Sequence, residues 1–380
     1  MMHVQILGTR GIPSQHGGFE TFAHDLALFL VSRGHRVTVY CQADPTEYRR
    51  EDTWRGVRRV IIPASNGAWG TIGFDWKSAV HASREKGVAL TLGYNTGVFS
   101  ILYRIKRHPN IMNMDGLEWK RRKWSTIAKA WLRVNEWLGA TLSDHLVADH
   151  PVIAEYLRRH TKASKISMIL YGSDEADERD GAVLEEHQLR PKQYYLVIAR
   201  PEPENSILEI VSAYSTKTRK VPLVVLGRFL ASSRYHAAVL SRAGPSVKFL
   251  GPIYDREAVW GLRRYAAAYI HGHQVGGTNP SLVESLAAGN PIIAHDNAFT
   301  RWVVGESGVY FSNKHDLIRI FDDLDNSQSG LEAKSKDSLC RYGEMFQQEG
   351  ILLQYEELLQ RFAEEAPLTK PARDHVAKSV

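Results

Sequence analysis

"HVQILGTRGIPSQHGGFETFAHDLALFLVSRGHRVTVYC", His3 to Cys41, sets the frame for the whole chain. A short β-branched run ends in a Gly-rich loop, Gly8 to Thr21, which opens into a helical pattern. There Phe19, Phe22, Leu26 and Phe29 or Leu30 fall on one face, the spacing of a helix that buries one side. Gly34 supplies its C-terminal stop, and RVTVYC reads as the next strand. Strand, helix and strand in so short a stretch predict a right-handed crossover between parallel strands.

The alternation continues outward. VRRVIIP, GVALTLG, NIMNMDG, HLVADH and ISMILYG read as strands, with helices near Ile72–Lys86, Val98–Arg107, Trp124–Leu142 and Pro151–His160. The acidic stretch SDEADERDGAVLEE, Ser173 to Glu186, interrupts the pattern, which then restarts. QYYLVIA, VPLVVLG, VKFLG, AYIHGH, PIIAHD and GVYFS are strands, separated by helices near Asn205–Lys217, Ser233–Arg242 and Arg256–Ala266. The expected fold is α/β, two doubly wound Rossmann-like domains in tandem facing a cleft, with C-terminal helices. The expected bounds are 1–172, an acidic linker 173–192, a second domain 193–345, a helix 346–365 and a flexible tail 366–380. Ligands of open parallel sheets bind beyond the C-terminal strand ends, so the loops that follow strands should carry the chemistry.

Composition restricts the class. The 380 residues are long enough for two domains with their own cores, and no apolar run approaches a membrane span. The first residues read as a strand and not as a secretion signal. Cys41 and Cys340, far apart in sequence, suggest neither a disulfide framework nor a zinc cluster, which fits a cytoplasmic protein. The net charge of +6 is unevenly placed. Ile101 to Arg133 holds nine Lys or Arg against Asp115 and Glu118, a net +7. That stretch is either a solvated face or a surface for an anionic partner. On the helix that follows, Trp124, Ile127, Trp131, Val134 and Leu138 form one stripe, expected to pack into the domain, with Arg122, Lys129 and Arg133 opposite.

Three loops stand out. In the first, Gly17 and Gly18 allow close backbone approach where a helix begins, a setting for a diphosphate. A dinucleotide oxidoreductase is the competing reading, but the spacing is not G-x-G-x-x-G and the next strand ends in Cys41 and Gln42, with no acid for a ribose. In the second, ARPEPENSI, Arg200 at a strand end can hold a phosphate or pair with Glu202 or Glu204. Arg228, after Gly227, is a candidate of the same kind. The third is HQVGGTNPSLVESLAAGNPIIA, His273 to Ala294. Asn279 or Thr278 can cap its helix, Pro280 suits the first turn and Gly289 ends it. Ser281 and Glu284 have capping-box spacing, yet a start at Pro280 puts Glu284 a full turn inside, free to accept from sugar hydroxyls.

These loops resemble the GT-B glycosyltransferases, specifically the retaining group-1, glycogen-synthase-like family. The resemblance runs from about His3 to Phe362, and ILGTRGIPSQHGGFETFAHDLALFL with MDGLEWKRRKW narrows it to a bacterial subgroup that includes surface-polysaccharide rhamnosyltransferases. It implies a diphosphate near Gly17, Gly18 and Glu20, and a phosphate on Arg200, whose usual partner lysine is replaced by Asn205 and Ser206. It implies Glu284 on the nucleotide ribose. The first acid of the family's pair falls on Gly276, so backbone N–H groups of Gly277, Thr278, Asn279 and Ser281 would serve the donor. Asp115 stands where a histidine often faces the reacting sugar; a turn after a strand is the other reading of Asp115-Gly116. Glu118, Trp119, Lys120 and Arg121 would lie on the acceptor or membrane side.

The function expected is transfer of a hexose or deoxyhexose, rhamnose among them, from a nucleoside diphosphate sugar to a saccharide acceptor carried on a lipid diphosphate at the inner membrane face. Asp115 and Glu284 are the expected catalytic pair, and retention follows from the resemblance. Asp323 to Asp325, "DLD", reads as surface, and no metal or other cofactor and no nucleic acid is expected. An epimerase or phosphorylase on the same fold, or a silent sugar-binding subunit, are the alternatives.

Overall fold

A computed structural model describes residues 1–14, 17–174 and 181–364. The N-terminal sheet contains β1 (His3–Leu7), β2 (Arg36–Ala43), β3 (Arg50–Trp54), β4 (Val57–Pro63), β5 (Val88–Leu92), β6 (Asn110–Asn113), β7 (His145–Ala148) and β8 (Ile166–Met168). Their order is β3-β4-β2-β1-β5-β6-β7-β8, parallel except for the edge strand β3. Between them run α1 (Gly18–Ser32), α2 (Ala68–Ala82), α3 (Ser100–Lys106), α4 (Thr126–Leu142) and α5 (Pro151–Arg158). From β1 to β2 the chain moves one way along the sheet, and from β4 to β8 the other. Right-handed crossovers therefore put α1 on one face and α2 to α5 on the opposite one. Phe22, Leu26 and Leu30 of α1 are buried as their spacing predicts, each contributing about 1.5–3 kcal/mol over an exposed position.

The second half begins with α6 (Ala182–Glu186). Its sheet holds β9 (Tyr195–Ile198), β10 (Leu223–Leu226), β11 (Val247–Gly251), β12 (Ala268–His271), β13 (Ile292–His295) and β14 (Val309–Phe311), all parallel in the order β11-β10-β9-β12-β13-β14. Helices α7 (Ile207–Tyr214), α8 (Arg234–Ser241), α9 (Arg256–Arg264), α10 (Pro280–Ala287), α11 (Ala298–Val304), α12 (Lys314–Asn326) and α13 (Leu331–Met345) cover it, and α14 (Gln348–Glu364) closes the described chain.

Residues 182–189, read from sequence as linker, pack Val183, Leu184 and Leu189 into the core of the second domain. Residues 175–180 and the proposed tail lie outside the described residues. The two domains are joined twice, because α14 returns to the first. Its Ile351, Tyr355 and Leu359 pack beneath α1, and the Tyr355 hydroxyl accepts from Asn113 Nδ2 at 2.8 Å. Glu356, buried, is held by Arg33 at 3.1 Å and His35 at 2.8 Å. At the crossing the strands of backbone run side by side, with Ser173 N donating to Phe346 O and Gln348 N to Ser173 O.

One expectation is reversed for three of its five residues. In the stripe along α4, Ile127, Trp131 and Val134 are exposed, Trp124 and Leu138 are half-buried, and the polar Asn135 and Glu136 are buried. Asn135 Oδ1 accepts from Val98 N, and Glu136 accepts from Trp119 Nε1 at 2.8 Å and the Tyr156 hydroxyl at 2.6 Å. Satisfied buried polar groups outweigh the pull of the apolar stripe toward the core.

Candidate functional site

The loops after β1, β6 and β7 meet those after β9 and β12. A Cβ on Gly18, at the start of α1, would come within 2.5 Å of Pro280 at the start of α10. Gly116, after β6, approaches Gly276 and Gly277 so closely that a Cβ there would sit 3.1–3.2 Å from their backbone. The sequence-selected glycines of both domains thus line one cleft.

The start of α10 has the form read from sequence. Asn279 is its cap, its Oδ1 accepting from Ser281 N at 3.0 Å, and Pro280 opens the first turn. Glu284 lies beyond that turn and caps nothing. Its carboxylate is gripped by Arg263 of α9 at 2.5 Å, with the guanidinium 5% and the carboxylate 20% exposed. Arg263 also donates to Ser281 Oγ at 2.9 Å, and Ser281 Oγ lies 2.9 Å from the Tyr269 hydroxyl. One oxygen of Glu284 is therefore fixed, and the other has no partner among the described residues.

Two of the expected backbone donors are already engaged. Ser281 N serves the cap, and Thr278 N donates to Asp149 Oδ2 at 3.2 Å across the cleft. Thr278 Oγ1 also donates to the Asp149 carbonyl. Gly277 has to be glycine, since a Cβ would collide with both carboxylate oxygens of Asp149. Asp149 thus stands where an anion on the α10 loop would stand. Burial, with the charge of Asp115 added, pushes its carboxyl up to about 8. In sequence HLVADH reads as strand to its end, and the place of Asp149 just past β7 is the signal of its role. Arg263 gave none, being joined to Glu284 only by the fold.

Asp115 occupies a left-handed conformation, φ 49°, with its N–H donating to Asn113 Oδ1 at 2.9 Å. Burial raises its carboxyl above the usual range, the Glu118 charge raises it further, and Arg121 and Arg200 oppose the shift. The same two arginines, after burial and His271, hold His273 well below the ordinary imidazole value. Arg121 and Arg200 therefore converge on Asp115 and His273. Arg200 is exposed and makes no ion pair among the described residues, not even with Glu202 or Glu204. Asn205 Nδ2 donates to its carbonyl, and Ser206 Oγ donates to Gly272 O, so the positions that lack the family's lysine brace this loop to β12. Arg228 is exposed after β10, the strand beside β9. His271 and His273 stack at 4.3 Å; burial pulls His271 down to about 3, so both are neutral at neutral pH.

Of the four acceptor-side residues, Glu118 and Trp119 build the loop. Glu118 is buried and binds Trp124 Nε1 at 3.0 Å, Lys123 at 3.2 Å and Arg121 at 2.5 Å. Lys120 is exposed, 5.5 Å from the Trp119 ring centre. In the DLD run, Asp325 pairs with Arg219 at 2.6 Å and Lys217 at 3.2 Å, an ion-pair role remote from the cleft. Among the described residues no three His, Cys, Asp or Glu gather as a metal site.

Residues 1–174 match a family model described as a domain of unknown function, DUF1972. No curated protein matches the chain. Solved structures are similar over nearly the whole of it. Sucrose-phosphate synthase from Thermosynechococcus elongatus has 16% identity and a TM-score of 0.77, covering 95% of this chain and 99% of that one. HepE of Anabaena, solved with UDP-glucose, has 15% identity and a TM-score of 0.75, covering 95% and 100%. An alpha,alpha-trehalose 6-phosphate synthase from Burkholderia multivorans has 10% identity and a TM-score of 0.70, covering 96% and 99%. The likeness establishes the fold: two Rossmann-like domains about a cleft with C-terminal helices, the GT-B architecture.

Proposed function

We propose that the chain is a glycosyltransferase that moves a hexose, specifically a deoxyhexose such as rhamnose, from a nucleoside diphosphate sugar to a saccharide acceptor. We place the acceptor on a lipid diphosphate at the cytoplasmic membrane face, as a step in assembling a bacterial surface polysaccharide. The observation that carries this reading is the set assembled about the cleft: unpaired Arg200, the N-terminus of α10, and Glu284 gripped by a buried arginine. A departing nucleoside diphosphate develops negative charge, and Arg200, with Arg228 on the neighbouring strand and the positive end of α10, neutralises it. The unpaired oxygen of Glu284 accepts from the ribose hydroxyls and fixes the nucleoside, so the departing oxygen stays in line. Asp149, protonated at neutral pH, yields the Thr278 N–H to the donor without placing a second negative charge beside the diphosphate.

Asp115 faces the reacting sugar, where a carboxylate stabilises developing positive charge at the anomeric carbon. Gly276 opens on empty space, since a Cβ there meets nothing within 4 Å. That space leaves room for the donor sugar beside the backbone of this loop. Retention of configuration is part of the proposal on the family resemblance. A thermal-shift panel of nucleotide sugars tests the reading. The true donor at ~100 times its dissociation constant adds ~2.7 kcal/mol of stability, and no shift with any nucleotide sugar overturns the proposal.

A further inference from the structure

Exposed large apolar side chains gather on one face of the N-terminal domain. Helix α4 buries Leu132, Asn135, Glu136, Gly139 and Ala140, while on its outer side Ile127 is 84%, Val134 53% and Trp137 58% exposed. On α3, which packs against α4, Ile105 is 69% exposed. α2 packs against α3 on the same side of the sheet and exposes Trp69 and Trp76. A soluble monomer does not ordinarily leave so many large apolar side chains of adjacent helices together in water.

Charge on this face says what covers it. Lys106 and Arg107 end α3, Arg122 precedes α4, and Arg133 lies along it, all exposed. The acids nearby are accounted for. Glu118 and Glu136 are buried in hydrogen-bonded contacts, and Asp144 lies 3.9 Å from Arg104. Apolar side chains ringed by unneutralised cations match a surface that is negative outside and apolar just below it. That is an anionic bilayer, with tryptophan at the depth where its ring is apolar and its N–H meets headgroups. The Trp137 N–H has no partner among the described residues, as that position requires. No described helix is long and apolar enough to cross a membrane, so the contact is peripheral.

We propose that the α3–α4 face docks on an anionic lipid bilayer, with Ile105, Ile127, Val134 and Trp137 entering the interface and the flanking arginines and lysines on the headgroups. The loop carrying Asp115 and Arg121 runs straight into α4, so docking sets the mouth of the cleft beside the membrane. The inference deepens the proposed function by naming the surface on which its lipid-linked acceptor is met. Its test needs neither donor nor turnover, so either reading can fail alone.

The full chain is sedimented with phosphatidylcholine vesicles, with and without about one part in three of phosphatidylglycerol, at low and high salt. Binding should be about tenfold stronger to the anionic vesicles at low salt, and salt should reverse most of that gain. Ile127→Gln, Val134→Gln and Trp137→Gln together should lower binding about tenfold at low salt. Lys106→Ser, Arg107→Ser and Arg122→Ser together should abolish the preference for anionic lipid. Melting temperature and far-UV circular dichroism should stay unchanged in both variants, which shows that they are folded. Wild-type protein absent from both pellets, or a glutamine variant that binds as wild type, overturns the proposal. So does a wild-type dimer that the glutamine variant converts to monomer, because the face would then belong to a second copy.

Discussion

Glu284→Gln should weaken binding of the nucleoside diphosphate roughly ten- to a hundred-fold. The variant removes one charge from a charge-assisted hydrogen bond, worth about 1.5–3 kcal/mol, and about 1.4 kcal/mol is a factor of ten. It also has a structural consequence. Arg263 is 5% exposed and loses its anionic partner at 2.5 Å, and breaking such a buried pair costs about 3–5 kcal/mol in full burial. Here the carboxylate is 20% exposed, and Arg263 keeps its bond to Ser281, so about 2 kcal/mol is the expected loss of stability. The variant should therefore melt earlier as well as bind more weakly, and melting alone cannot separate the two roles. Arg263→Met supplies the control, because it breaks the same pair and leaves the carboxylate in place. Both variants are titrated with nucleoside diphosphate by calorimetry, well below their melting points. If Glu284→Gln binds as tightly as Arg263→Met, the carboxylate holds only Arg263 and its assignment to the ribose is wrong.

The other predictions concern single groups. Arg200→Ala should raise the Michaelis constant for donor and abolish thermal protection by nucleoside diphosphate, losing about 1.5–3 kcal/mol of binding; unchanged protection would move the phosphate site toward Arg228. Asp115→Asn should lower turnover more than donor affinity, and wild-type turnover would reduce Asp115 to a turn residue. Asp149 should make stability depend on pH. Its carboxyl rises from 3.8 to about 8 on folding, so its stabilising contribution is complete below about pH 4 and is lost as pH rises toward 8. Asp149→Asn removes that dependence, and melting curves that fall in parallel for variant and wild type between pH 5 and about 8 would contradict the assignment.

How far the fold was legible depends on which forces decide each element. Runs such as VRRVIIP are β-branched and bounded by turn residues, and β4 spans just those residues. β3 was missed because REDTW is polar; it exists through cross-strand pairs, Asp52 opposite Arg59 at 2.7 Å and Glu51 beside Arg58. Periodicity located α4 but not its orientation, since a stripe on a helix does not say which side faces in. That was decided by Trp119, Tyr156 and Val98, distant in sequence, which supply partners for Asn135 and Glu136. At the site, Asn279 and Pro280 specify the start of α10 locally, so the position of Glu284 within the helix could be read. The arginine that grips it has no local signature, and the aspartate that holds Thr278 from the other domain is marked only by its place just past a strand end.

The central claim is transfer of a sugar from a nucleotide donor, and a direct assay tests it. Purified protein is incubated with radiolabelled nucleotide sugars, deoxyhexose donors included, and a saccharide on a lipid diphosphate, in the presence of a chelator. The account predicts label moving into the lipid-linked product, and Glu284→Gln and Arg200→Ala each reducing it. Nucleotide sugars that bind yet yield neither transfer nor hydrolysis, or transfer that strictly requires a divalent cation, would contradict it.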